Sequence, residues 1–361
     1  MLAYWVLVGF LFFAALFFKN SKISGRSAKK VFLVFAFLSL VLVAGLRSEV
    51  VGTDTSHYAG LFKDVVKMDS WKDIKDSRYE LGFVILLKAI SLVSSRPSVM
   101  IFITSAIVVC LYSRYIIKSS SDVYISLVLF VLFGFYTNTF NIMRQHIAVG
   151  ICLNAMLLLK NQNSGKLKSN LLFFLYVVLA SQFHATAWVF LIVMLSPVSK
   201  KYPVVVVFEC MVAIVLFTFK DEIATALSSQ FGYEAYLISY AERASYLEIV
   251  VYSILFVLIF LFMSVIEKRR EFFDSIKLEF DVLCVALVVM LITLSEYGLI
   301  VRLAYYFKPV LLVILPAILQ ALRKKDRTVA KLMVYAVGCL YFGWSLYVNN
   351  GGIVPYISVF S

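Results

Sequence analysis

Paired cysteines, clustered metal ligands and phosphate-binding glycine loops are all missing from this sequence. Its five cysteines, Cys110, Cys152, Cys210, Cys284 and Cys339, stand singly inside apolar stretches. Without a CxxC or a close pair, a zinc ribbon or dithiol redox centre is excluded, and the thiols read as core filling. The three histidines, His57, His146 and His184, are isolated from one another. No GxxxxGK run occurs, so ATP is not the expected energy source. Charge is scarce, only 15% of residues, and the 34 Lys and Arg fall almost entirely between apolar runs. The net charge of +13 therefore speaks for membrane topology and against nucleic acid. The opening stretch "MLAYWVLVGFLFFAALFF" has no basic leader and no small-residue cleavage site, and so reads as a span and not a signal peptide.

What is abundant is apolar length. The chain is 62% hydrophobic, with repeated runs of about 15 to 20 apolar residues, enough to cross a bilayer as a helix. Basic clusters at 19–30, 160–168, 200–201, 267–270 and 323–327 belong on the cytoplasmic side. Alternating from them predicts spans near 1–18, 31–46, 97–117, 122–138, 145–159, 171–183, 185–198, 203–219, 248–266, 280–297, 302–320 and 330–348. The expected fold is an all-α polytopic membrane protein of about 12 transmembrane helices forming one domain over 1–361, with both termini outside. The alternation holds only if "LGFVILLKAISLV" (81–93) does not cross, which makes it an interfacial or re-entrant helix. The hairpin 171–198 is tight for two spans, which implies tilted or broken helices. Two outer loops remain, 47–96 and 220–247. Neither contains an Asp-x-Asp pair, so a metal-independent reaction is expected. No internal repeat of the kind common in transporters is visible.

Polar groups at membrane depth are costly and mark candidate sites. At the outer ends of the predicted spans these are Arg47, Asp54, His57, Tyr58, Glu80, Asn141, Arg144, Gln145, His184, Glu296 and Arg302. Three arginines from distant segments suit a diphosphate, because a guanidinium binds phosphate oxygens bidentately and stays charged. Arg47 and Arg302 could equally snorkel to headgroups. Asp54 could be a helix cap, with Tyr58 on the same face if a helix starts there. His57 and His146 fit interface or packing roles, Glu80 could pair with a basic loop residue, and Glu296 could pair with Arg302. In loop 220–247, Tyr233, Tyr236, Tyr240 and Arg243 line one helical face, which suits a lid over a sugar or a belt helix on the headgroups.

The segments "LRSEVVGTDTSHY" (46–58), "YELGF" (79–83), "NIMRQHIA" (141–148), "SQFHATAWVFL" (181–191) and "RLAYYF" (302–307) together resemble the EpsG family of Wzy-like polysaccharide polymerases. The resemblance implies a GT-C-like glycosyltransferase of the bacterial inner membrane, with its site facing outward. It would join undecaprenyl-diphosphate-linked oligosaccharide units into O-antigen, capsule or exopolysaccharide. Arg47, Asp54, Tyr58, Arg144, His184 and Arg302 match the family's recurrent polar positions. On that reading Arg47, Arg144 and Arg302 hold the diphosphate, and the catalytic residues are Asp54 and His184, one or the other taking the acceptor hydroxyl proton. Tyr58, Glu80, Asn141, Gln145, Tyr236, Tyr240, Arg243, Glu296 and Tyr305 contact substrate or acceptor. No cofactor is expected. Expected partners are the lipid-linked glycan, membrane lipids and a candidate chain-length regulator. The competing readings are an O-antigen ligase and a lipid-linked glycan flippase. A flippase should carry ionisable groups at mid-span or on both faces, whereas here they gather on one.

Overall fold

The computed structural model describes residues 1–21, 25–160, 165–198, 254–255, 257–259, 269–292 and 302–361. Two long apolar helices open the chain, α1 (Leu2–Asn20) and α2 (Gly25–Gly45). The segment expected as an outer loop then folds into three short helices, α3 (Thr55–Val66), α4 (Trp71–Lys75) and α5 (Leu81–Ser91). A capping box starts α4, where Ser70 and Asp73 satisfy each other's backbone N–H. At 11 residues, α5 is about 16 Å long and too short for a hydrocarbon core of ~30 Å. It buries Phe83, Val84, Leu87 and Ile90 against α3 and α6 instead.

The bundle continues with α6 (Pro97–Ser119), α7 (Val123–Leu132), α8 (Phe135–Asn138), α9 (Met143–Lys160) and α10 (Lys166–Ser181). Pro97 sits in the first turn of α6, where its missing N–H costs nothing. Packed between α6 and α10, α9 is buried on almost every side, and Gly150 lets Leu111 of α6 approach its backbone. After a 3-10 stretch at Ala185–Val198 come α11 (Arg269–Ile292), α12 (Leu311–Ala321) and α13 (Lys324–Tyr347).

Among the described residues, five helical stretches are long and apolar enough to cross a membrane: Leu2–Asn20, Gly25–Gly45, Pro97–Ser119, Ala304–Ala321 and Lys324–Tyr347. The chain is therefore a multi-pass helical membrane protein. Three expectations need correction. The stretch 122–138 is not one span, because Gly134 at φ 73° separates α7 from α8. Residues 185–198 wind as a 3-10 helix and not as α. The helix expected at 280–297 begins earlier, at Arg269. The spans expected at 203–219 and over most of 248–266, with loop 220–247, lie outside the described residues.

The helices have two chemically distinct ends. At one, Lys19 pairs with Asp122, Gln320 donates to the Ser121 carbonyl, and Lys160 pairs with Glu279. At the other lie the 46–54 turn, α3 to α5, and the chain's last residues. Beyond α13, the segment 349–361 folds back along the 46–53 turn. Ser48 N donates to Ile357 O, Val359 N to Leu46 O, Gly52 N to Gly352 O and Thr53 N to Gly351 O, at 2.8 to 3.1 Å. Tyr4 of α1 donates to the Ile353 carbonyl at 2.8 Å, and Tyr356 donates to Val43 at 3.0 Å. Asn349 turns the chain with a left-handed φ and clasps Val354 through both side-chain atoms.

Asn141 is wedged between Gly52 and Gly351, both at positive φ and both close enough that a Cβ would strike its amide. Gly351→Ala should therefore cost about 1–3 kcal/mol, from backbone strain plus the clash. Thermal unfolding of the detergent-solubilised protein reads this, with Gly25→Ala, which meets nothing within 4 Å, as the comparison. Adding Asn141→Ala should recover the clash component only. Equal midpoints for Gly351→Ala and Gly25→Ala would show that the tail does not pack on the turn.

Candidate functional site

Arg47 lies in the wall and not in the site. It is 1% exposed, and Nη1 donates to the Ala44 carbonyl and, at 2.9 Å, to Ser105 Oγ, while Nη2 reaches the Phe140 carbonyl at 3.3 Å. The guanidinium also lies over the Phe140 ring, 4.5 Å from its centroid. A phosphate would have to break these bonds to be bound, so the expected diphosphate contact gives way to a structural role. Thr55 completes the junction, donating to the carbonyls of Val51 and Phe140 at 2.8 and 3.0 Å.

From this junction the chain enters α3 with Asp54 at the N-cap position, yet the Asp54 carboxylate accepts no helix N–H. Its hydrogen bond comes from Thr53 Oγ1 at 3.2 Å, and it remains half-buried. Asp54 is thus not a capping side chain. One turn on, Tyr58 is buried and hydrogen-bonded to Arg144, with Asp54 and Arg302 in electrostatic range. Burial raises its phenol pKa, opposed by the Arg144 cation, so Tyr58 stays neutral and available as a hydrogen-bond partner.

Glu80 fastens the loop to the bundle. It forms an ion pair with Arg144 at the start of α9, while its other oxygen accepts from Ala185 N at 3.0 Å. Phe83 N donates to Gln182 O at 3.1 Å beside Gly82, where a Cβ would come within 2.8 Å of that same carbonyl. The N-terminus of α5 is therefore keyed to the turn that carries His184. The Arg144 guanidinium lies 4.9 Å from the Tyr79 ring centroid and 5.9 Å from that of Phe83.

His184 Nδ1 bonds Thr186 Oγ1 at 2.7 Å, and Thr186 donates to the Tyr306 hydroxyl at 3.2 Å. Burial first, and the cations Arg144 and Arg302 second, push the imidazole pKa down to about 3. It is neutral at physiological pH. Arg302 is within electrostatic range of both His184 and Tyr58, and its carbonyl accepts from Gln145 Nε2 at 2.6 Å. Asp54, Tyr58, Glu80, Arg144, His184 and Arg302 thus converge, from five separate chain segments, and Gln145 backs them.

Other expected contacts fall elsewhere. Asn141 supports the Asp54 turn from behind, between its two glycines. Tyr305 turns toward His146, at 5.8 Å between ring centroids, and toward Lys308, whose ammonium lies 4.8 Å from its ring. Tyr236, Tyr240, Arg243 and Glu296 lie outside the described residues. Two neighbours were overlooked by the sequence reading. The Tyr79 hydroxyl bonds His57 Nε2 at 2.7 Å and accepts from Arg78 Nη2 at 2.9 Å, which brings a third arginine to the rim. The available signal was local: Arg78 and Tyr79 directly precede Glu80 in "RYELGF".

These features define a class, an all-helical multi-pass membrane protein with an arginine-lined polar site where loop and helix ends meet. A family model described as the EpsG family matches residues 30–358, nearly the whole chain, and the chain belongs to that family, one of Wzy-like polymerases. No curated protein and no solved structure matches it. Membership makes it a membrane protein of polysaccharide biosynthesis.

The depressed His184 pKa has a measurable consequence. A group that binds its proton more weakly when folded contributes stability above its unfolded pKa, and loses it as pH falls toward the folded one. For His184 that window runs from 6.5 down to about 3. His184→Gln should flatten the fall of the unfolding midpoint across this window relative to wild type, in detergent-solubilised protein. Parallel curves would mean that the imidazole is solvated in the folded state.

Proposed function

We propose that the chain is a glycosyltransferase that joins undecaprenyl-diphosphate-linked oligosaccharide repeat units at the outer face of the bacterial inner membrane. The observation carrying this reading is the convergence of Arg144, Arg302, neutral His184, Tyr58 and Asp54 at the end of the helices opposite Lys19, Lys160 and Arg327. Positive segments are retained inside, so the site end faces out.

In the proposed reaction an acceptor hydroxyl oxygen attacks the anomeric carbon of the donor sugar. The bond from that carbon to the diphosphate oxygen breaks, and the hydroxyl proton passes to Asp54. Arg144 and Arg302 stabilise the charge gathering on the leaving diphosphate, with Arg78 joining at the rim. Tyr58 and His184 hydrogen-bond the phosphate or sugar oxygens, and Glu80 aims Arg144. The activated lipid diphosphate supplies the driving force. The GT-C likeness and the loop 220–247 as lid belong to the same proposal, as does a chain-length regulator as partner.

In vitro elongation of a purified lipid-linked repeat unit, with binding followed separately, tests the roles. Asp54→Asn should insert and bind substrate normally while losing on the order of a hundredfold or more in rate. His184→Ala should be milder. A nearly active Asp54→Asn beside a dead His184→Ala would move the base to His184.

Arg302→Lys keeps the charge but not the fork, and should slow elongation on the order of tenfold to a hundredfold at unchanged protein level. Normal polymer length in that variant would return Arg302 to headgroup snorkelling. Sidedness is read independently: reporters fused after residues 25, 165 and 325 should be cytoplasmic, and one at 70 outside. A cytoplasmic reporter at 70 would overturn the outward-facing site. Accumulation of single lipid-linked units on the outer face of a deletion strain separates polymerase from flippase, which would strand them inside.

A further inference from the structure

A polar cavity lies at the far end of α2 from Arg47. The C-terminal ends of α1 and α12 and the first turns of α2, α7 and α13 enclose about 700 Å3. Four cations line it, Lys19, Lys29, Arg327 and Lys331, against a single acid, Asp122. That acid is already committed. One oxygen caps α7 by accepting from Tyr124 N and Ile125 N at 3.1 and 3.2 Å, and the other pairs with Lys19.

Among the described residues Asp122 forms its ion pair with Lys19 alone, although its charge also reaches Lys331. Lys29 makes no hydrogen bond or ion pair among the described residues. Lys331 is half-buried with its ammonium 5.5 Å from the Tyr335 ring centroid. Arg327 is oriented by the carbonyls of Gln320 and Leu322, at 2.6 and 3.0 Å, which leaves the rest of its guanidinium edge for another acceptor. A solvated basic face would spread such charges apart. Here all four cations come from three helices, α1, α2 and α13, to one concavity, whose wall also carries the apolar side chains of Val123, Ile125 and Leu319.

We infer that this cavity binds a phosphate-bearing anion, namely the headgroup of an anionic lipid in the leaflet at this end of the helices. An arginine fork flanked by lysines matches phosphate oxygens. The cavity's place at the helix ends puts it at headgroup depth, where surface cations attract anionic lipid. The apolar wall suits the glycerol and first acyl carbons. The α2 helix, 21 residues long, separates this cavity from Arg47 by about 30 Å, so the cavity is distinct from the candidate site at the Arg47 end. The inference rests on the membrane reading of the chain and does not depend on the polymerase chemistry.

The test measures lipid retention by full-length protein in native mass spectrometry and in nanodiscs, comparing short-chain phosphatidylglycerol with phosphatidylcholine. Lys29→Gln/Lys331→Gln should lower the preference for phosphatidylglycerol about tenfold, and Arg327→Gln should lower it in the same direction. Lys324→Gln/Lys325→Gln removes the same charge from the same end of α13 but outside the cavity lining, and should leave the preference intact. Displacement of phosphatidylglycerol by millimolar inorganic phosphate, lost in the cavity variant alone, would support the site while identifying a soluble phosphate as its source. Equal losses in both lysine pairs, or no loss in either, would overturn the inference in favour of general surface charge. Elongation is not part of the readout, so failure here leaves the polymerase reading untouched.

Discussion

A guanidinium almost closed to solvent holds the mouth of α2, and the functional end of the molecule is built around it. Taking a cation out of water costs several kcal/mol unless hydrogen bonds and nearby polarisable groups replace its hydration. Arg47 obtains that replacement from Ala44 on its own helix end, Ser105 on α6, and the carbonyl and ring of Phe140. In meeting its own requirement it fastens three parts of the chain at one point. Its backbone carries the constraint further, through an antiparallel bridge to Ser358 that brings the terminal segment against the 46–53 turn. The position of Asp54 follows from that clamp, since Gly52 and Thr53 are held by Gly352 and Gly351.

Arg144 meets the same physical problem with a different answer. It lies at the start of α9, where Glu80 arrives from the 47–96 segment as its ion-pair partner, and where Tyr79 and Phe83 present ring faces. Because Glu80 also accepts from Ala185 N, one carboxylate registers the loop against two helix ends. The result is an arginine held in place yet directed toward Tyr58, His184 and Arg302, the groups a polyanionic ligand would meet. Burial and the two cations keep His184 neutral, so it can hydrogen-bond an anion without adding a third buried positive charge that the empty site would have to bear.

Charge is divided between the two ends of the bundle. At one end, cations gather at helix termini around Asp122, Glu279 and Gln320. At the other, Arg144 pairs with Glu80, and Arg78 donates to Tyr79 beside it. Such a separation suits a protein that must orient in a bilayer.

Membrane class, the positions of most described helices and the roster of polar residues at their ends were readable from the sequence alone. They depend on apolar run length and charge placement, which are local properties of a linear chain. The break at Gly134 and the 3-10 winding after His184 were less legible, because both follow from backbone fit to neighbouring helices. The division of labour among the arginines belonged to the tertiary structure. Arg47 and Arg144 look alike in sequence, each a lone cation at a span mouth. Arg47 became a structural clamp because acceptors 58 and 93 positions away close around it. Arg144 stands near Tyr58 and His184 because its partner, 64 positions away, is a carboxylate on a docked loop. Tyr79 and Arg78 entered the site for the same reason. The partners that satisfy a buried cation are set by which distant segments the fold brings within hydrogen-bonding reach, and residue spacing along the chain carries no record of that.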